Sequence, residues 1–134
     1  MLLTVRDESA AGAVQHELTL DVLSETTTVR ELIRSRVYQE VDDHNRRVRA
    51  SRGTAFKGLV TPAEPRWDAP QPRPAPVARE VDWQQQFTSA CDAFERNGFF
   101  VLVDDRQVDS LDAPLTLRHD SVVSFVKLTP LVGG

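Results

Sequence analysis

Prolines crowd into one stretch of this chain and separate two parts that carry patterns of regular structure. Six of the eight prolines lie between Thr61 and Val77, namely Pro62, Pro65, Pro70, Pro72, Pro74 and Pro76. Proline fixes φ and lacks a backbone N–H, so this stretch favours extended or disordered conformations. We predict that residues 50–80 are a Pro- and Arg-rich insertion within a single domain spanning residues 1–134. The apolar island Ala55–Val60 either docks back on that domain or binds a partner.

The part before the insertion begins with two strand patterns. Leu2–Arg6 is a short apolar run, Asp7–Ala13 is small, polar and acidic as in a turn, and Gln15–Val22 alternates polar and apolar residues. Leu18 and Leu20 fall on one face of the second run. We predict that the two strands pair as a hairpin.

A helix follows the hairpin. Thr28 and Glu31 have the spacing of a capping box, and an apolar stripe then recurs with helical period. The stripe consists of Val29, Leu32, Ile33, Val37 and Val41, and Tyr38 extends it. Arg46, Arg47 and Arg49 lie near the predicted helix end, where solvated cations complement the helix dipole.

A second helix is predicted after the insertion. Asp82 is suited to cap it, with Gln85 at the reciprocal position, and Asn97-Gly98 is suited to end it. The apolar stripe of this helix consists of Phe87, Ala90, Cys91 and Phe94. This stripe predicts the face that packs on the rest of the domain.

Two longer strands close the pattern. Phe99–Val103 is a continuous apolar run, typical of a strand buried on both faces, and Val122–Leu128 is the last strand. The segments between them are a turn at Asp104–Arg106, a short return strand at Gln107-Val108, an irregular connector at Ala113–Leu115 and a polar turn at Arg118–Ser121. This order predicts an α+β fold: a mixed sheet packed on a helix, with an additional helix, and with the first and last strands parallel at the sheet centre.

Composition narrows the classes of partner. The net charge of −4 argues against a general nucleic-acid binder, and no apolar run has the length of a transmembrane helix. We therefore expect no nucleic-acid or membrane partner. The start of the sequence has no signal-peptide pattern, and a single cysteine fits a reducing cytoplasm.

Residue types that often carry catalysis are scattered in this sequence. Cys91 lies on an apolar stripe and is predicted to be a core residue. His16, His44 and His119 lack the spacing of zinc ligands, and we predict that each lies on the surface. The adjacent carboxylates Asp104-Asp105 diverge and do not form a catalytic pair. We predict no catalytic residue, no metal site and no bound cofactor, and we interpret the chain as a substrate of enzymes.

The last residues have a distinct character. Pro130 cannot donate to a strand ladder, so we predict that residues 129–134 form a flexible tail. The tail ends in Gly133-Gly134. Glycines have no side chain, so this backbone can enter a channel that any Cβ would block. At ~3.3–3.6 Å for each extended residue, the tail reaches roughly 15 Å beyond Pro130.

Several stretches resemble the ubiquitin-like superfamily, and in particular its bacterial sulfur carriers, the small subunit of molybdopterin synthase and the thiamine-pathway carrier. The matching stretches are Phe100–Asp104, Leu111–Leu115, Asp120–Phe125 and Pro130–Gly134. The N-terminal hairpin and the helix start at Thr28–Leu32 also fit. The resemblance implies a β-grasp (ubiquitin-like) fold, in which a mixed sheet wraps around a helix.

The resemblance also implies one chemistry. In this superfamily an E1-like adenylating enzyme uses ATP to adenylate the carboxylate of the terminal glycine, and sulfur then attacks the acyl-adenylate. By resemblance, Gly134 carries the reacting carboxylate and Gly133 provides clearance. The residues before them, Pro130, Leu131 and Val132, are recognised by the activating enzyme or by a tail-cutting metalloprotease.

Three functions stay open at this point. The first is a bacterial-type protein modifier, conjugated through Gly134 to a target protein with the help of an E2-like enzyme. The insertion favours it, because a minimal sulfur carrier does not need the added surface. The second is a sulfur carrier with a C-terminal thiocarboxylate, whose partner is a molybdopterin- or thiamine-type cofactor-synthesis enzyme. The third is a non-covalent binding module. Lys57 and Lys127 are the only lysines, which disfavours lysine-linked polymers.

Overall fold

The computed structural model describes residues 1–51, 58–59 and 79–128. They form an α+β fold with two helices and a mixed sheet. The strands are β1 (Leu2–Ser9), β2 (Val14–Asp21), β3 (Thr26–Thr28), β4 (Phe99–Val103), β5 (Arg106–Val108), β6 (Pro114–Thr116) and β7 (Val122–Lys127), and the helices are α1 (Val29–Ser51) and α2 (Trp83–Glu95). Most of the predicted insertion at 50–80 and all of the predicted tail at 129–134 lie outside the described residues.

The main sheet has five strands in the order β2-β1-β7-β4-β5. β1 and β7 run parallel, from the pair Thr4 and Val122 to the pair Ser9 and Lys127, and the other neighbours are antiparallel. The prediction of a hairpin and of a parallel central pair is therefore confirmed. A parallel pair needs a crossover connection, and here the two helices lie in that connection.

The first strand is longer than its sequence pattern indicated. The prediction of a turn starting at Asp7 was wrong, because β1 continues to Ser9. Asp7 pairs with His16 on one side and Phe125 on the other, so two neighbouring strands provide the backbone ladder that extends β1. The turn itself is short, and Gly12 adopts a left-handed φ of 86° there.

A two-stranded sheet formed by β3 and β6 was not predicted. The prediction that Ala113–Leu115 is an irregular connector was wrong, because Leu115 pairs with Thr27 and Pro114 with Thr28. The partner strand is distant in sequence, so the local pattern around Pro114 did not reveal it.

The core lies between one face of the main sheet and the two helices. The whole apolar stripe of α1 is buried, namely Val29, Leu32, Ile33, Val37 and Val41. Tyr38 was predicted to extend that stripe, but it is 52% exposed. It lies at the edge of the stripe, where its ring meets the Trp83 ring edge-on at a centroid distance of 5.4 Å.

The central apolar strand β4 is covered on one face only. Phe99 and Val101 are fully buried against the helices, whereas Phe100 and Leu102 are partly exposed. The prediction of burial on both faces was therefore wrong, because both helices contribute to a single core.

The predicted helix boundaries are set by side-chain and backbone caps. The Thr28 hydroxyl accepts a hydrogen bond from the Glu31 N–H at 3.2 Å. The Asp82 carboxylate accepts one from the Gln84 N–H at 3.0 Å. After α2, Asn97 takes a φ of 60°, and the Gly98 N–H donates back to the Ala93 carbonyl at 2.8 Å.

Candidate functional site

The predicted site residues Gly134, Gly133, Val132, Leu131 and Pro130 lie outside the described residues. The structure describes the two residues before this tail, Lys127 and Leu128, which are called the tail root below. β7 ends at Lys127, which pairs with Ser9 of β1 and with Phe99 of β4. The next N–H, of Leu128, donates to the Gly98 carbonyl at 3.4 Å. The tail root is therefore held between two neighbouring strands in the middle of the main sheet.

Four charged side chains, Asp7, Arg36, Glu40 and Lys127, meet beside the tail root and are called the buried ionic cluster below. Arg36 donates through both Nη atoms to the Asp7 carboxylate, with Nη2 2.7 Å from Oδ2. Its Nε donates to Glu40 at 2.6 Å. The Lys127 ammonium lies 3.6 Å from Asp7 Oδ2. The side chains of Arg36 and Asp7 are only 2% and 7% exposed.

Burial and neighbouring charges shift the pKa values of Asp7 and Arg36 in opposite directions. Burial alone would raise the pKa of Asp7, but the hydrogen bond and charge of Arg36, together with the charge of Lys127, hold that pKa below its usual range. Burial alone would lower the pKa of Arg36, but the hydrogen bonds that Arg36 donates to Asp7 and the charge of Glu40 raise this pKa above its ordinary value. Both groups therefore stay ionised. The guanidinium also lies 4.6 Å from the centre of the Phe125 ring, a further favourable contact for a cation.

Sequence reasoning missed Asp7, Arg36 and Glu40 as members of a site. The sequence nevertheless carried a signal for these residues, because their spacing places them on the core-facing sides of β1 and α1. Asp7 continues the inward alternation of Leu3 and Val5 on β1. Arg36 and Glu40 have the i,i+4 spacing of a helical ion pair beside the apolar stripe. An acid and a base on faces that both point to the core indicate a buried ion pair.

Leu59, within the predicted insertion, docks on the same cluster. The Leu59 N–H donates to the second Glu40 oxygen at 2.8 Å, and Leu59 is 2% exposed within the core. Of the two alternatives for the apolar island, docking on the domain is confirmed for Leu59.

The end of the predicted insertion is also held on α1. The Asn45 amide donates to the Val81 carbonyl at 2.9 Å and accepts from the Val81 N–H at 2.7 Å. The neighbouring residue, His44, also contacts the returning chain, and its Nε2 lies 2.8 Å from the Arg79 carbonyl oxygen. The prediction that His44 is a surface residue was wrong, because it is 1% exposed. The chain returning along α1 at Arg79 covers it, and sequence alone did not show that return.

The arginines at the end of α1 form surface ion pairs. Arg46 lies 2.7 Å from Asp42, and Arg49 lies 2.7 Å from Glu80. Their side chains are 70% and 64% exposed, which agrees with the prediction of solvated cations.

Other residues with reactive side chains have structural surroundings. Cys91 is buried, as predicted, and this burial raises the pKa of its thiol. His16 and His119 are exposed. Asp104 accepts from the Val122 N–H and the Ser121 hydroxyl, both at 2.9 Å, so it shapes the turn before β7. Across the described ranges no three His, Cys, Asp or Glu side chains are placed to hold a metal ion.

A shallow groove of about 350 Å³ lies at the end of the main sheet away from the tail root. It runs beside β3, between Leu23 and Pro114. Leu23 is 99% exposed. None of the residues that line the groove belongs to the buried ionic cluster.

No protein-family model, no curated protein and no solved structure matches this chain. Within the described residues, neither helix is long and apolar enough to cross a membrane.

Proposed function

We propose that this chain is a ubiquitin-like protein modifier with a β-grasp fold, activated at the carboxylate of Gly134. One observation carries the proposal. The last strand of the domain lies at the centre of the sheet, parallel to the first, and leads through Lys127 and Leu128 directly into the sequence Pro130–Gly134. A sequence that ends in two glycines and follows the central strand of a sheet is suited to presentation to another protein.

The proposed reaction has two partners and one co-substrate. An E1-like enzyme binds ATP, and the Gly134 carboxylate attacks the α-phosphate, which gives an acyl-adenylate and releases pyrophosphate. A thiol of the enzyme then displaces AMP and forms a thioester. An amine of the target protein displaces the thiol and forms an amide, with an E2-like enzyme as carrier. A tail-cutting metalloprotease exposes Gly134 where further residues follow it. We place this reaction in the cytoplasm.

The domain itself contributes positioning to this reaction. Between β1 and β4, Lys127 is fixed by backbone pairing on both sides, so the tail starts from a defined point. In the proposed reaction the activating enzyme supplies the chemistry at Gly134.

The second candidate is a sulfur carrier. In that case a hydrosulfide displaces AMP from the acyl-adenylate and leaves a thiocarboxylate for cofactor synthesis. The sequence Pro130-Leu131-Val132-Gly133-Gly134 favours it, because this tail resembles that of the bacterial sulfur carriers. Docking of Leu59 on the core supports the modifier, because it anchors this part of the insertion on the domain, and the insertion adds surface that a minimal sulfur carrier does not need.

Mass analysis of the chain recovered from its native cell tests the proposal. An N-terminal tag leaves Gly134 untouched, and proteolytic peptides then report its chemical state. We expect a branched peptide in which Gly134 is bonded to an amine of another protein. Exchange of one oxygen for sulfur at Gly134 would establish the sulfur carrier. A free, unmodified Gly134 in repeated preparations would contradict both reactions and favour the non-covalent binding module.

A variant that lacks Gly134 is the matched control. We expect it to lose every adduct while its circular dichroism and thermal unfolding stay unchanged, because Gly134 follows Pro130, which is predicted to end strand pairing. A loss of folding in this variant would contradict the assignment of the tail as an element outside the core.

A further inference from the structure

The tail root carries a lysine whose surroundings differ from those of an ordinary surface lysine. Lys127 is the last residue of β7, and its side chain is 28% exposed. Its ammonium lies 3.6 Å from the carboxylate of Asp7, which is itself 7% exposed. In the ammonium form, the nitrogen has no lone pair with which to attack a carbonyl carbon.

The buried ionic cluster is electrically balanced only while Lys127 keeps its charge. Asp7 and Glu40 carry two negative charges, and Arg36 and Lys127 carry two positive charges. Acylation converts the Lys127 ammonium into a neutral amide and leaves two carboxylates facing one guanidinium. Because the cluster is largely removed from water, an unbalanced charge there is costly.

We propose that Lys127 is a protected lysine, which Asp7 withholds from acylation so that an activated chain does not acylate itself at its own tail root. This inference rests on the proposed function. Gly134 lies seven residues after Lys127, and two groups joined by a short flexible linker have an effective concentration in the millimolar range. Without protection, the Lys127 amine would attack the Gly134 thioester, release the enzyme thiol and close a lactam.

Competitive chemical labelling of the full chain tests this protection. The probe is the N-hydroxysuccinimide ester of acetic acid, applied to the chain in native buffer and in denaturant, with acetylation at Lys127 and Lys57 quantified from peptides. We expect Lys127 to react at least about tenfold more slowly in native buffer than in denaturant, a ratio that represents roughly 1.4 kcal/mol. Equal rates in the two conditions would overturn the proposal.

A matched pair of variants assigns the protection to Asp7. Asp7→Asn keeps the shape of the side chain and removes its charge, and we expect native labelling of Lys127 to rise toward the denatured rate. Asp120→Asn is the control, because Asp120 is exposed and pairs with Arg118 on another turn, and it should leave Lys127 labelling unchanged. If Asp7→Asn fails to fold, equal labelling rates in native buffer and in denaturant for the unaltered chain still overturn the proposal.

The two proposals fail in different ways. A peptide with Gly134 bonded to Lys127, recovered from the native cell, would overturn protection while supporting activation of Gly134. A chain with Lys127 protected in labelling but with Gly134 never modified would overturn the proposed function and leave the protection of Lys127 standing.

Discussion

Arg6 and Asp7 are neighbours on β1, and they form ion pairs on opposite faces of the main sheet. Arg6 faces solvent and lies 3.0 Å from Glu17 of β2, with side chains 42% and 55% exposed. Asp7 faces the core and binds Arg36 through both carboxylate oxygens, with side chains 7% and 2% exposed. One step along the strand thus changes the environment of the pair while its chemistry stays the same.

The two ion pairs differ in how much stability is lost when one partner is removed. An exposed ion left alone is solvated by water, so a surface pair contributes little to stability. A buried ion left alone has no such replacement, and its desolvation cost is no longer compensated. The buried ionic cluster should therefore tolerate single changes poorly, and the Arg6–Glu17 pair should tolerate them well.

The largest expected effect is that of Arg36→Ala. It leaves the carboxylates of Asp7 and Glu40 without their shared partner, and we expect a loss of about 3–5 kcal/mol in the free energy of unfolding, measured in urea. It also removes the guanidinium from the Phe125 ring.

A double variant separates the value of the pair from the cost of breaking it. Arg36→Met combined with Asp7→Leu replaces both charges of the Asp7–Arg36 pair by apolar groups, so that Glu40 alone loses its Arg36 partner, and we expect it to be more stable than Arg36→Ala. If Arg36→Ala alone costs less than about 1 kcal/mol, which is the range of surface pairs, the contrast between the two faces of β1 does not hold.

The second prediction concerns acid. The pKa of Asp7 is lowered in the folded chain, so the unfolded chain binds a proton more readily, and stability rises with pH in the acid range. The contribution of Asp7 is fully present above its unfolded pKa of about 3.9 and is lost as the pH falls through the lower folded value. Urea midpoints measured over this range should depend less steeply on pH in Asp7→Asn than in the unaltered chain.

The carboxyls of Asp104 and Asp112 also have lowered pKa values, through hydrogen bonds with Val122 and Arg30 respectively. They make the acid response of the unaltered chain steeper without involving the buried ionic cluster. The difference between the unaltered chain and Asp7→Asn removes their contribution. Identical slopes in the two proteins would show that Asp7 is not linked to folding in this way.

The third prediction concerns a neutral contact of intermediate burial. Asn45→Ala removes both hydrogen bonds to the Val81 backbone, and we expect a loss of about 1–3 kcal/mol in the free energy of unfolding. Gln39→Ala is the control, because it removes one exposed hydrogen bond to the Thr19 carbonyl and should cost less. A larger loss in Gln39→Ala than in Asn45→Ala would contradict the ranking by burial.

Local sequence patterns predicted the strands and helices that are marked by regular spacing of their apolar residues. The alternation of Leu18 and Leu20 and the helical stripe from Val29 to Val41 gave strands, helices and core faces that the structure has. The caps at Thr28 and Asp82 were also predictable, because a cap is completed within a few residues.

Contacts between distant residues were not predictable in this way. The ion pair of Asp7 with Arg36 joins residues 29 apart, and the contact of His44 with Arg79 joins residues 35 apart. A charged or polar residue considered without its distant partners is assigned to the surface. For this reason Asp7 was predicted to lie in a turn and His44 on the surface. Of the candidate site, the sequence supplied the tail residues Pro130–Gly134, and the structure supplied the cluster at the tail root.

The smallest expected effect is that of Arg6→Ala on the outer face of β1. Arg6 and Glu17 are directly opposite in the antiparallel register, and such a cross-strand pair contributes about 0.2–1 kcal/mol. Salt screens exposed charges, so the difference in urea midpoint between Arg6→Ala and the unaltered chain should shrink as ionic strength rises. The buried ionic cluster should respond much less, because it is shielded from mobile ions. A loss in Arg6→Ala that is large and independent of salt would mean that Arg6 acts through packing of its aliphatic stem, and the two faces of β1 would then differ less than their exposure indicates.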